Sequence, residues 1–146
     1  LRGARHRLGA PLGVSAGADA GVILTAVEPR FRTSVLQGVG LWVAGVPEIE
    51  PHNYAPRVRM PTLMLNGRYD FETPFDTAQR PLFDLLGPPA EHKRHTVLEA
   101  GHALPIEDAA REILPWLDRY LGQAVRSSPA ATPTPAASSL RSGGQS

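Results

Sequence analysis

Three residues of this 146-residue chain have the types and the order that nucleophilic acyl chemistry needs. Ser15 lies in Gly13-Val14-Ser15-Ala16-Gly17, a G-x-S-x-G spacing. Asp70 follows by three residues the glycine that closes an apolar run in "LMLNGRYDFETP", and His102 ends "HTVLEAGH". A serine hydroxyl attacks a carbonyl only when an imidazole accepts its proton. The imidazole in turn needs a carboxylate to hold its other nitrogen in the right tautomer. Glycines flanking the serine suit an elbow, in which the nucleophile is held strained between a strand and a helix and its neighbours must be small. With 14 Gly and eight Ser in the chain, about 0.07 accidental matches to the pattern are expected, so the motif alone does not decide the matter.

Each residue also has a plainer reading. Ser15 alone is a loop serine, Asp70 a turn or capping aspartate, and His102 a surface histidine. His6, His52, His92 and His95 are read as loop or exposed strand residues and given no role. What favours chemistry is the joint arrangement, which depends on the elements that carry the three groups.

"PTLMLNG", Pro61 to Gly67, is a continuous apolar run opened by proline and closed by a turn, the pattern of a strand buried on both faces of a parallel sheet. "TSVLQGVGLW" is a poorer strand candidate, and "HTVLEAGH" a short strand turning at Gly101. "ADAGVILTAV" is read as a helix packed through Val22, Ile23, Ala26 and Val27, and "TAQRPLFDLLG" as one with Leu82, Phe83, Leu85 and Leu86 apolar and Pro81 in its first turns. In "IEDAAREILPWLDRYLG", Ile106, Ala109, Ala110, Ile113, Leu114, Leu117 and Leu121 fall at helical spacing; Gly122 is a stop and Pro115 predicts a kink or break. Strands alternating with helices predict an α/β fold, a mostly parallel sheet with flanking helices in three α/β/α layers. In such a sheet functional groups collect at the carboxyl ends of the strands. Ser15, Asp70 and His102 each follow a strand, in that order, and this coincidence favours a triad.

Composition bounds the rest. A net charge of +1 gives no field for nucleic acid or an anionic membrane, and 42% hydrophobic residues suffice for a packed core. All the basic residues but Lys93 are arginine, which with the abundant Ala, Gly and Pro reads as coding bias. The absence of Cys excludes disulfides and thiolate chemistry. No H-E-x-x-H pairing or Walker glycine pattern occurs, so neither a metal nor a nucleotide cofactor is expected. No apolar run has the length of a membrane span and "LRGARHRLGAPLG" lacks the core of a signal peptide, which makes the cytoplasm the expected location. Residues 1–122 are expected to form the domain, and 123–146, rich in Pro, Ala and Ser, a disordered tail.

These segments together resemble the C-terminal half of α/β-hydrolases, in the dienelactone-hydrolase and prolyl-oligopeptidase-like branch. "GVSAG" is similar to the elbow, "PTLMLNGRYDFETP" to the strand and loop bearing the acid, "VLEAGH" to the histidine loop and "WLDRYLG" to the closing helix. The resemblance covers roughly residues 8 to 122. It implies Ser15 as nucleophile, Asp70 as orienting acid, His102 as general base and the N–H of Ala16 as an oxyanion donor. It also implies a partial α/β-hydrolase fold whose N-terminal half, with a second oxyanion donor, is absent, and a larger protein joined to other domains. Two departures stand out: Ala18 and Asp19 replace the family's further glycines, and "RLGAPLG" is poor material for a central strand.

The reading is therefore a serine hydrolase cleaving an ester or peptide-like acyl bond of a small-molecule or peptide substrate. Acyl transfer to an acceptor other than water uses the same residues. The alternative is a non-catalytic hydrolase-like module, or truncated remnant, with a structural or interaction role. Trp42 and Tyr54, in "LWVAGVPEIEPHNYAP", are placed either along the pocket or in surface packing.

Overall fold

The computed structural model describes residues 6–41 and 46–122. Four strands form one sheet in sequence order: β1 (Leu12–Val14), β2 (Ser34–Gln37), β3 (Thr62–Gly67) and β4 (Lys93–Leu98). Every pairing is parallel, with Val14 opposite Gln37, Gln37 opposite Leu65 and Gly67 opposite Leu98. All four strands therefore end on one side of the sheet, where the loops meet.

Parallel neighbours need crossovers, and helices supply two of them. Helix α1 (Ala16–Val27) links β1 to β2, and α2 (Arg80–Leu85), preceded by a π-helical turn at Phe75–Gln79, links β3 to β4. The proline-bearing link from β2 to β3 forms short 3₁₀ turns instead. Helix α3 (Ile106–Leu121) closes the described residues and covers the other face.

All six residues of β3 are buried, as its apolar run predicts. Alternation divides them: Met64 packs with Ala18, Val22, Leu36 and Leu82 on the side of α1 and α2, while Leu63 and Leu65 pack with Ala109, Ile113 and Trp116 of α3. The result is the expected three-layer arrangement. Strand β2, the poorer candidate in the sequence, is equally internal, with Ser34, Val35 and Leu36 buried. Its polar residues are satisfied there: Ser34 Oγ meets Thr62 Oγ1 at 2.9 Å.

Four local expectations are corrected. Helix α1 buries Ala18, Gly21, Val22 and Thr25, whereas Val27 lies 62% exposed. Thr25 tolerates burial because its hydroxyl donates to the Gly21 carbonyl at 2.8 Å. Leu85 of α2 is exposed, the burial falling to Leu82 and Leu86. Pro115 does not break α3, which runs unbroken through it. Pro115 is exposed, so the carbonyl deprived of its N–H partner can meet water. On the next position Trp116 is buried and its Nε1–H donates to Thr33 Oγ1 at 2.7 Å, fixing the helix to the sheet. Ile106 and Leu114 of the expected apolar stripe are exposed.

The one lysine has a structural task. Lys93 Nζ donates to the carbonyls of Phe83, Asp84 and Leu86, at 3.1, 3.3 and 2.9 Å, and so caps the C-terminal end of α2. Lys93→Ala should lower stability by about 1–2 kcal/mol, read as a shift of the urea midpoint at unchanged slope. An unchanged midpoint would mean that water replaces the ammonium without loss.

Among the described residues β1 pairs on one side only, with β2. Leu12 and Val14 are 53% and 47% exposed, and with Leu104, Ile106, Ile113 and Leu114 they line an apolar groove of about 390 Å³. No helix among the described residues is long and apolar enough to cross a membrane.

Candidate active site

Ser15 occupies the single residue between β1 and α1. Its N–H continues the sheet by donating to the Gln37 carbonyl at 2.8 Å, while its own carbonyl accepts from Ala18 and Asp19 and starts the helix. One residue serves both elements only by turning sharply. Among the described residues Ser15 is the one non-glycine residue with a positive φ, 53°. Such a backbone is uncommon outside glycine and persists where its surroundings hold it. Gly13 is required here, because a Cβ at that position would overlap the Gly17 carbonyl. Gly17, by contrast, faces open space, so only the first glycine of the motif is demanded by packing.

Asp70 sits in the loop after β3. Its Oδ1 accepts the N–H groups of Glu72 and Thr73 at 2.9 and 3.2 Å, and its Oδ2 the Thr73 hydroxyl at 2.6 Å. Burial pushes the Asp70 carboxyl up, but the hydrogen bonds from Thr73, His102 and the backbone together outweigh it and hold the group below its ordinary value. The acid loop is tied in turn to its surroundings. Gln79 Nε2 donates to the Gly67 and Thr73 carbonyls at 2.9 and 2.7 Å.

His102 follows β4, and its loop is joined to that of Asp70 by a continuation of the ladder. Arg68 N–H donates to the Leu98 carbonyl and Tyr69 N–H to that of Ala100, at 2.8 and 2.9 Å. Outside, the Tyr69 hydroxyl donates to Glu99 Oε2 at 2.7 Å. Gly67 permits this closeness, since a Cβ there would overlap the Gly101 carbonyl.

The three predicted side chains come together. His102 Nδ1 lies 2.8 Å from Asp70 Oδ2, and Nε2 lies 2.9 Å from Ser15 Oγ. Donation from Nδ1 to the carboxylate leaves Nε2 with a lone pair for the serine proton. Ala16, whose N–H was the expected oxyanion donor, opens α1 beside Ser15, and that N–H has no hydrogen-bond partner among the described residues. Ser15, Ala16 and His102 line a cavity of about 230 Å³ with Asp19, Gly38, Glu72 and Thr73.

Several of these lining residues carry no signal that the sequence reading caught. Gly38, just past β2, has φ 64°, and a Cβ there would lie 3.2 Å from His102 Cε1; the glycine makes room for the imidazole. Glu72 Oε2 stands 3.7 Å from His102 Nε2. Asp19, noted in the sequence only as a departure from the family's glycines, faces the cavity one turn along α1.

Burial pushes the Asp19 carboxyl up to about 6, Glu50 adds to the rise, and His102 opposes it. An acid whose folded value is raised favours folding below its unfolded value of about 4, and that advantage is lost as pH rises through 6. Asp19→Asn should therefore raise stability at pH 7.5 by about 1 kcal/mol, discounted for the water that reaches a half-exposed carboxylate, and leave it unchanged at pH 4. Thermal unfolding at the two pH values checks this. An equal gain at both would assign the effect to packing.

Tyr54 does not line the cavity. It packs against the cluster beneath α1, and its hydroxyl donates to the Glu48 carbonyl at 2.6 Å. Trp42 lies outside the described residues, as does the expected tail, 123–146. His95 is not an exposed strand residue as expected: it is half-buried between Phe75 and Phe83, its Nε2 3.1 Å from Asn66 Oδ1. Burial lowers it to about 4, so it is a neutral packing residue at neutral pH.

No family model matches the chain, and no curated protein matches it either. Solved structures do. A cold-adapted esterase from an Arctic intertidal metagenomic library is 27% identical with a TM-score of 0.64, over 75% of this chain and 48% of that one. The dienelactone hydrolase of Anabaena variabilis is 21% identical with a TM-score of 0.57, over 76% and 49%. An acylaminoacyl peptidase of Pyrococcus horikoshii is 16% identical with a TM-score of 0.58, over 80% of this chain and 23% of that one. The chain thus spans about half the length of the first two.

Proposed function

The chain is part of an α/β-hydrolase fold, and from that premise we propose that it carries the nucleophile, base and acid of a serine hydrolase acting on ester or peptide-like acyl bonds. The observation that supports this most is the hydrogen-bonded series from Ser15 Oγ through His102 to Asp70 Oδ2. The esterase and peptidase named above add support for an acyl substrate.

In this reading Ser15 Oγ attacks the carbonyl carbon as His102 Nε2 takes its proton. The negative charge moves to the carbonyl oxygen, which the N–H of Ala16 faces as donor. Collapse of the tetrahedral adduct expels the alcohol or amine, protonated by His102, and leaves an acyl group on Ser15. Water, deprotonated by His102, then releases the acid and restores the serine. Asp70 stays ionised throughout, its low-lying carboxyl compensating the imidazolium that forms at each proton transfer.

A fluorophosphonate probe tests the assignment directly, since it traps an activated serine covalently. The adduct should map to the peptide containing Ser15, with labelling lost on unfolding. Labelling confined to another serine would overturn the proposal.

A further inference from the structure

The cavity over Ser15 is unusual for its charge. The site is marked by the nucleophile and imidazole, and two carboxylates share its wall. Glu72 comes within 3.7 Å of the same His102 nitrogen that lies 2.9 Å from Ser15 Oγ. Asp19 lines the same cavity from the first turn of α1. Glu50, 3% exposed, lies close enough to act on Asp19 electrostatically. Neither Lys nor Arg is among the described residues that line the cavity.

A carbonyl placed for attack by Ser15 brings its substituents into the cavity that Asp19 lines and in which Glu72 stands 3.7 Å from His102 Nε2. In that partly closed cavity, a charge on the acyl group interacts far more strongly than it would in water. An anionic acyl group meets like charge, while a cationic one finds two counter-ions. The cavity, about 230 Å³ among the described residues, opens to solvent beyond these groups.

Resting on the serine-hydrolase reading above, we propose that Asp19 and Glu72 make this a site selective for acyl groups that carry a positive charge near the scissile carbonyl. Asp19, on the first turn of α1, and Glu72, in the loop after β3, are then the specificity residues of the site.

The test compares three p-nitrophenyl esters of matched shape, 4-(trimethylammonio)butyrate, 5,5-dimethylhexanoate and hemiglutarate, with uncatalysed hydrolysis subtracted. For the 146-residue chain kcat/KM should fall in that order, by about a hundredfold from cation to anion, and the spread should narrow in high salt. Asp19→Asn and Glu72→Gln should each reduce the cation-to-anion ratio by about tenfold. The ratio, rather than the rate, is the readout, so a general loss of activity in either variant does not mimic the effect. Ser15-dependent hydrolysis with equal kcat/KM for the three esters would overturn the charge selection and leave the serine-hydrolase reading standing. A cation preference that persists in the double variant would also overturn it. No Ser15-dependent hydrolysis of any ester would overturn both together.

Discussion

Ser15→Ala should bring p-nitrophenyl ester turnover down to the level set by binding and the oxyanion donor alone, a loss of up to about 10⁶ in kcat where the full machinery operates. The substitution removes only the oxygen that stands 2.9 Å from His102 Nε2. The sharp turn at φ 53° is dictated by the ladder bond to Gln37 and the start of α1, which alanine preserves. The fold should persist, and circular dichroism should be unchanged. Residues acting as one unit give losses that do not add. Ser15→Ala/His102→Ala should consequently be no slower than Ser15→Ala. Turnover within tenfold of the parent in the single variant would exclude Ser15 as nucleophile.

Asp70→Asn should lower kcat by about 10⁴ through the tautomer of His102. Both carboxylate oxygens of Asp70 accept hydrogen bonds, Oδ1 from two backbone N–H groups and Oδ2 from Thr73 and His102. An asparagine has one accepting oxygen, and the two backbone donors hold it at the Oδ1 position. The amide NH₂ then points at His102 and makes Nδ1 an acceptor. The ring proton moves to Nε2, where it blocks the serine proton from being taken. Glu72→Gln, altering a carboxylate that faces Nε2 from 3.7 Å, should stay within about tenfold on the neutral ester. Equal losses in the two variants would show that the orienting acid is not Asp70.

The sheet was legible where side chains report burial unambiguously. The run from Pro61 to Gly67 reads as an internal strand, and β3 is buried at every residue. Strand β2 was harder, because Gly38 and Gly40 after it look like breakers. Both are demanded by packing: Gly38 by a positive φ beside His102, and Gly40 by Ala78 and Thr73, which a Cβ would press. Pro115 was misread for the converse reason. Local propensity predicts a break, but the burial of Ile113 and Trp116 on either side holds the helix together.

At the site, strand ends taken in order were enough to single out Ser15, Asp70 and His102, whose side chains the fold then places in contact. Asp19 and Glu72 were not legible as a pair. That both line one cavity depends on the pitch of α1 and on the course of the loop after β3, neither of which has a pattern of its own in the sequence. Gly13 and Gly17 look alike in the motif, yet only the structure separates a steric necessity from a free position.

The separation of 87 residues between Ser15 and His102 has a kinetic consequence. An all-parallel sheet offers no hairpin to form first, so such pairings are completed late in folding, after the cost of closing long loops. During synthesis Ser15 emerges while His102 is still untranslated. On the proposed function Ser15 therefore has no base until β4 pairs with β3 and brings His102 into place. Covalent labelling of Ser15, as the proposed function expects it, should then begin only once β4 and the loop bearing His102 are in place.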